Sequence, residues 1–416
     1  MSELDAYRSQ GFSVASDATA KVIWPRARKN ISVEIVDAMT LAETRESWAD
    51  LLARADAPNV FMNPALVQAA AQSDSTTQHR TLMAWRLIDG HRQLAGIWAF
   101  AIRRPRKSPL PIRVLVSPTC DHCYLATPVV DRDGAEETLD AMLDGIVEDR
   151  RLPKILALDM VAADVPTTDA LMRVLARRNS PPCVFGQSRR PKLESALDGG
   201  AYLANALSAS TRKKLRQHRR KLADKGALTF EIASTADAVS RALEKFLAME
   251  AAGWKGRQGT ALLDNTADAA FARGAVNALA EAGCASIHSL YLDGRPVSMQ
   301  VVMRSDAASF TWKTTYDEAY QEFSPGMLLL EDYTAAFLQD KSIAFVDSCS
   351  FDDGGFMSAW TERQAVADLW IDARRGGSLM FRIMCGLQQR HRKARDVVKN
   401  LYLAWQKSNW SKSRKR

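Results

Sequence analysis

Two stretches of this 416-residue chain share one pattern, which constrains the fold more than any single motif. Residues 82–102 read LMAWRLIDGHRQLAGIWAFAI, and residues 286–304 read SIHSLYLDGRPVSMQVVMR. Each stretch has two apolar, strand-like runs around an Asp-Gly pair, at Asp89 and at Asp293, and such a pair is a strong signal for a tight β-hairpin. The pattern therefore predicts one antiparallel hairpin in each half of the chain.

A helix and a short apolar strand ending in Asp follow each hairpin. In the first half we predict a helix over 135–149 and a strand over 155–159, and in the second half a helix over 326–339 and a strand over 343–347. This repetition predicts two tandem α/β (α+β) domains, with mixed, largely antiparallel sheets flanked by helices.

The chain length also fits two domains. The predicted organisation is an N-terminal extension over 1–30, a first domain over 31–195, a second domain over 205–375 and a helical basic tail over 376–416. The N-terminus, MSELDAYRSQ, has no apolar signal region, and apolar runs such as 94–102 are shorter than the roughly 20 residues of a membrane span. We expect a cytoplasmic protein with no transmembrane segment, and contact with a membrane surface stays open.

The formal charge of +8 favours an anionic partner, for which acyl-CoA, a nucleotide-sugar, tRNA and anionic lipid all qualify. Much of the excess lies between Thr211 and Lys225, which hold eight Lys or Arg residues against one acid. Aromatic residues that would stack on bases are absent from this run, which argues against nucleic acid.

Six cysteines include one CxxC pair, Cys120 and Cys123, with His122 between them. A structural zinc site needs four ligands, and no second pair of that kind stands nearby in the sequence. We therefore expect reduced, packed thiols and no bound metal.

The stretch EAAGWKGRQGTAL, from Glu250 to Leu262, has glycines at three-residue spacing. A dinucleotide-binding loop would follow a strand, whereas apolar residues at helical spacing precede Gly253. We predict a helix that ends at Gly253. Farther along, a three-strand meander over 286–314, a polar loop and a helix opening at Pro325 would form an anion site at the helix N-terminus.

Several segments in this order resemble the FemAB-like branch of the GNAT acyltransferase superfamily, in particular the CelD-type acetyltransferases associated with cellulose and exopolysaccharide biosynthesis. They are RKKLR, EAAGWKGRQGTA, LDGRPV, YDEAY and SPGMLL, and they span about residues 200–350. The usual GNAT loop survives only as QEFSPG, with the single glycine Gly326. The resemblance implies two GNAT-like domains, of which the second carries the chemistry, and acetyl-CoA or another acyl-CoA as cosubstrate.

The resemblance and the local chemistry together nominate three groups of site residues. The candidate catalytic residues are Glu250, Tyr316, Asp317, Tyr320 and Asp347. The candidates for binding the acyl donor are Arg212, Arg216, Ser324, Gly326 and Met327. The candidates for binding the acceptor substrate are Trp254, Lys255, Gln300 and Lys313.

The function predicted from the sequence is transfer of an acetyl or acyl group to an amine or hydroxyl, in polysaccharide or cell-envelope biosynthesis. Because the GNAT loop is incomplete, an acyl-carrier protein stays open as the donor. Two alternatives remain: a Fem-type transferase that uses aminoacyl-tRNA, and a non-catalytic accessory protein of an exopolysaccharide system.

Overall fold

The computed structural model describes residues 21–23, 30–105, 108–350 and 355–413. Most of the predicted N-terminal extension and the end of the basic tail lie outside these residues. The strands of the first half are β1 (Lys21–Ile23), β2 (Ile31–Asp37), β3 (Gln78–Ile88), β4 (His91–Arg103), β5 (Val114–Ser117), β6 (Val129–Val130), β7 (Ile155–Ala162) and β8 (Cys183–Leu193). Its helices are α1 (Arg45–Arg54), α2 (Pro64–Ser73), α3 (Ala135–Glu148) and α4 (Pro166–Arg177).

The second half adds six strands, which are β9 (Leu228–Ala233), β10 (Ala285–Leu292), β11 (Arg295–Ser305), β12 (Ala308–Tyr316), β13 (Phe345–Asp347) and β14 (Glu362–Asp372). Its helices are α5 (Gly199–Ala206), α6 (Ala209–Ala223), α7 (Ala236–Ala252), α8 (Trp254–Arg257), α9 (Thr266–Glu281), α10 (Pro325–Gln339) and α11 (Leu379–Ser413). A 3-10 helix, Glu318–Phe323, precedes α10.

Both predicted hairpins are present, as the pairs β3–β4 and β10–β11. Asp89 and Asp293 have φ angles of 48° and 49°, and the glycines that follow have φ angles of 79° and 74°. Two consecutive residues with positive φ define the tight turn whose twist matches that of the paired strands. The Asp-Gly pairs are therefore the local cause of both hairpins.

The two halves repeat one topology. In the first half, β2, β3, β4 and β5 pair antiparallel, and the chain returns through α3 to β7, which pairs parallel to β5. In the second half, β9, β10, β11 and β12 pair antiparallel, and the chain returns through α10 to β13, which pairs parallel to β12. The predicted fold of two GNAT-like α/β units with largely antiparallel strands is confirmed, with β9 as an addition that the sequence patterns did not indicate.

The two units share one continuous sheet, whereas the sequence predicted a separate sheet for each. At the junction the strand order is β7-β14-β8-β13, so that β8 of the first half pairs with β13 and β14 of the second half pairs with β7. This exchange covers the inner edges of both units, which would otherwise expose unpaired N–H and C=O groups. The predicted domain boundaries stay predictions.

A buried ion pair lies at this junction. Arg190 of β8 donates from Nη2 to Oδ2 of Asp347 of β13 at 2.5 Å, and its Nη1 donates to the carbonyl oxygen of Tyr124 at 2.8 Å. The two charged side chains are only 1% and 2% exposed. The guanidinium therefore joins the first half to the last strand of the second repeat.

The loop after β5 makes a second contact between the halves. The indole nitrogen of Trp312 donates to the carbonyl oxygen of His122 at 2.7 Å, and the His122 ring stacks on Phe271. The sulfur atoms of Cys120 and Cys123 lie 3.1 Å apart as free thiols. Within the described ranges, no cluster of three or more His, Cys, Asp or Glu side chains is arranged to hold a metal ion, and no helix is both long and apolar enough to cross a membrane.

We expect Asp347→Ala to lower the free energy of unfolding by about 3–5 kcal/mol, because it leaves Arg190 as an unpaired buried charge. Urea denaturation followed by circular dichroism measures the change. The matched control is Glu244→Ala, which breaks a pair with Arg273 whose side chains are 54% and 43% exposed and should cost less than about 1 kcal/mol. Equal losses in the two variants would contradict a special role for the buried pair.

Candidate functional site

A cavity of about 350 Å³ opens at the start of α10, between the end of β12 and the junction of α7 with α8. Seven of the predicted site residues and six other residues form its wall. The lining residues are Glu250, Gly253, Trp254, Lys255, Thr314, Thr315, Tyr316, Gln321, Ser324, Pro325, Gly326, Met327 and Phe356. The cavity therefore lies wholly in the second half of the chain.

The junction of α7 with α8 depends on a close backbone contact. Helix α7 ends at Gly253, as predicted, and the short helix α8 begins at once. A Cβ atom on Gly256 would lie 1.8 Å from the carbonyl oxygen of Ala251, so only glycine fits there. This tight reversal places Trp254 and Lys255 at the cavity.

Lys255 and Glu250 form an ion pair in the cavity wall. The Lys255 Nζ donates to Glu250 Oε1 at 2.7 Å and to the carbonyl oxygen of Thr314 at 3.1 Å, and the N–H of Leu262 donates to Glu250 Oε2 at 2.9 Å. The Glu250 side chain is 2% exposed and that of Lys255 is 22% exposed. An ammonium has three protons to donate, so these contacts leave one Lys255 proton for a ligand.

The N-terminus of α10 forms the opposite wall. Pro325 has no N–H, and the N–H groups of Met327 and Leu328 donate back to the carbonyl oxygen of Ser324. The N–H of Gly326 has no hydrogen-bond partner among the described residues. Ser324 adopts φ 52° and ψ 55°, a left-handed conformation that is unfavourable for serine, and its hydroxyl caps no N–H of the helix. The site thus offers one backbone donor, one hydroxyl and the positive end of the helix dipole.

Trp254 lies at the mouth of the cavity and is 44% exposed. Its backbone N–H donates to Glu318 at 2.9 Å, which fixes the backbone while the indole stays accessible. An exposed aromatic ring beside a cavity can stack on a flat or ring-shaped ligand. Tyr316, at the end of β12, lines the same cavity.

Two other residues of the predicted catalytic loop lie outside the cavity wall. The Asp317 carboxylate accepts the backbone N–H of Ala319 at 2.9 Å and caps the 3-10 helix. Tyr320 packs against the apolar cluster around α10.

Asp347, Gln300 and Lys313 also lie outside the cavity wall. Asp347 is held by Arg190, and the Gln300 amide donates to the carbonyl oxygens of Val301 and Lys313 at 2.9 Å each. The Lys313 ammonium lies 5.5 Å from the centre of the Tyr124 ring. Burial, and then the charge of Lys255, lower the pKa of Lys313 from 10.5 to about 8.

The basic helix α6 packs beside α10, but Arg212 and Arg216 do not line the cavity. The contact with α10 is made by Arg219, which donates to the carbonyl oxygen of Leu328 at 3.0 Å and to Asp332 Oδ1 at 2.9 Å. Burial raises the pKa of Asp332. Arg219 therefore anchors the basic helix one turn beyond Arg216.

Sequence reasoning did not select Thr314, Thr315, Gln321 or Phe356. The two threonines directly precede Tyr316 on β12, and Gln321 begins the remnant GNAT loop, so local position could have indicated them. Phe356 reaches the cavity from the connection between β13 and β14, for which no local pattern exists.

Residues 209–349 match the family model described as acetyltransferase (GNAT) domain, which covers less than half of the chain. No curated protein matches the chain in amino-acid sequence. Among solved structures, that of FemX is 13% identical, covers 79% of this chain and 95% of its own, and has a TM-score of 0.55.

Two further structures cover similar shares of the chain at lower scores. The C-terminal domain of a putative lysylphosphatidylglycerol synthetase from Agrobacterium fabrum is 14% identical over 80% of this chain and 92% of its own, with a TM-score of 0.48. A tandem GNAT protein from the clavulanic acid biosynthesis pathway is 14% identical over 82% and 98%, with a TM-score of 0.42. Residues 209–349 are therefore similar to GNAT acetyltransferase domains, and the chain shares the fold of FemX over most of its length.

Proposed function

We propose that the chain transfers an acyl group from acyl-CoA to an amine or hydroxyl of an acceptor bound beside Trp254. The observation that supports this most is the shared cavity, in which the free N–H of Gly326 and the Lys255–Glu250 pair line the same space. The helix N-terminus is suited to an anionic donor, and the ion pair is suited to proton transfer and charge stabilisation.

In the proposed reaction, the acceptor nitrogen or oxygen attacks the thioester carbonyl carbon, and the carbon–sulfur bond then breaks. Glu250 takes the acceptor's proton through a lone pair that its present contacts leave free. The Lys255 ammonium stabilises the developing oxyanion, and the Tyr316 hydroxyl protonates the departing thiolate. The proton on Glu250 then returns to Tyr316 through water, and the products are the acylated acceptor and free CoA.

The exposed indole of Trp254 favours an acceptor with a ring, such as a saccharide. The CelD-type resemblance of the sequence supports the same class of acceptor, and we propose that the reaction serves envelope polysaccharide synthesis in the cytoplasm. Titration with acetyl-CoA, longer acyl-CoAs, an acylated carrier protein and aminoacyl-tRNA tests the donor. Binding of none of these would overturn the proposal and favour an accessory role.

We expect Glu250→Gln to lower kcat by roughly 10²–10⁴-fold, because the amide cannot accept the acceptor's proton. Donor affinity, measured by isothermal titration with acetyl-CoA, should change little. The rate of the reaction is measured by the release of free thiol. The control is Glu244→Gln, the same substitution on the same helix in an exposed ion pair, which should keep full activity. A loss confined to KM would argue against Glu250 as the base.

We expect Ser324→Gly and Ser324→Ala to separate backbone strain from ligand binding. Glycine relieves the left-handed strain and should stabilise the fold by about 0.5–1 kcal/mol, whereas alanine keeps the strain. Both variants remove the hydroxyl, so donor affinity should fall by about threefold to tenfold in each. Unchanged affinity in both would show that the hydroxyl does not contact the donor.

The lowered pKa of Lys313 predicts a stability effect that depends on pH. Below about pH 8 the folded chain holds a buried ammonium, which lowers its stability. This loss of stability disappears as the pH rises from about 8 to above 10.5, where folded and unfolded chains are both neutral at this site. Lys313→Met should therefore stabilise the fold by up to about 3 kcal/mol at pH 7 and by much less at pH 10.

Melting temperatures at the two pH values measure this difference, with the exposed Lys213→Met as the control. Weaker binding of donor or acceptor in Lys313→Met, without a gain in stability, would instead assign Lys313 to substrate binding.

A further inference from the structure

Helix α11 has two apolar faces, of which only one is packed. Phe381, Met384 and Cys385 are buried against β5, β7 and β14, where they surround Trp370. Gln388, one turn farther on, is fully buried as well. This inner face holds the helix flat against the sheet.

The outer face exposes a stripe of large apolar side chains. Leu379, Met380, Ile383 and Leu387 are 72%, 61%, 50% and 44% exposed, and Val397, three turns farther along, is 58% exposed. At about 100° per residue, these five positions fall within an arc of about 100°. The other exposed large apolar residues of the described chain stand singly on separate elements.

Basic residues lie beside and within the apolar stripe of α11. Residues 379–397 contain five Arg or Lys residues and one acidic residue, Asp396. Arg392 turns inward to Asp368 at 3.0 Å, whereas Arg382, Arg390, Lys393 and Arg395 are exposed. By helical spacing Arg390 lies in line with the apolar stripe, and Arg382 and Lys393 lie along one edge of it.

We propose that the outer face of α11 binds the surface of an anionic lipid bilayer. The apolar stripe would enter the boundary between headgroups and acyl chains, and the exposed cations would meet lipid phosphates. A second copy of the chain fits less well, because pairing two such faces would bring their cations together. Nucleic acid would leave the apolar stripe without a partner.

The helix would lie in the plane of the membrane, since the apolar stripe runs along its length and its inner face is packed on the sheet. This inference uses none of the residues of the cavity and stands independently of the proposed acyl transfer.

The test is co-sedimentation of the full chain with vesicles of phosphatidylcholine alone, and of phosphatidylcholine with about 30 mol% phosphatidylglycerol. We expect binding to the anionic vesicles only, weakened by salt because the exposed cations are screened. Ile383→Glu and Leu387→Glu should each lower partitioning by about tenfold or more, because each puts a carboxylate into the apolar boundary. Arg390→Glu should lower it as well.

The matched control is Ile232→Glu on β9, where the native side chain is 44% exposed and stands alone. It should bind vesicles like the unaltered chain, and unchanged melting temperatures would show that all variants fold. Equal binding of Ile383→Glu and the control to anionic vesicles would overturn the proposal. A dimer in sedimentation velocity that Ile383→Glu dissociates would also overturn it, by showing that a second copy covers the face.

Discussion

The buried pair between Arg190 and Asp347 is the contact on which the arrangement of the two halves depends. It joins strands that are 157 residues apart in the chain, at the place where each repeat receives a strand from the other. Two buried charges are tolerated because each is paired, and because Arg190 also donates to the carbonyl oxygen of Tyr124. An ion pair of this kind requires one register for the exchanged strands, since any shift would leave a buried charge alone.

The exchange of strands also explains why the cavity, although it lies wholly in the second half, depends on the first half. Strand β13 holds its place between β12 and β8, and β8 comes from the first half. The loop that carries His122 packs behind Trp312, next to the strand residues that form the cavity wall. The first repeat therefore supports β12 through β13 and at Trp312, two residues before the cavity wall begins at Thr314.

Positive charge is distributed unevenly over the molecule: the cavity is nearly neutral, whereas two surface helices are basic. Inside the cavity, one lysine and one glutamate compensate each other. Most of the positive excess lies instead on α6 and on residues 379–395 of α11, where the cations are largely exposed. A donor with phosphates would therefore meet a nearly neutral reaction site within a molecule of net charge +8.

The sequence by itself determined the features that depend on neighbouring residues. Asp-Gly pairs allow positive φ at two successive positions, and they produced both hairpins. Pro325 began α10, because its fixed φ and missing N–H suit the first turn of a helix. The repetition of hairpin, helix and strand was enough to predict the fold class.

Only the tertiary structure decided which polar side chains meet. Tyr316 faces the cavity, whereas Asp317, its neighbour, caps a turn and Asp347 is held by a distant arginine. The single sheet, the burial of Lys313 and the two faces of α11 likewise follow from contacts between residues far apart in the chain. Local sequence patterns indicate backbone preferences, and these preferences do not specify which remote side chain will be the partner.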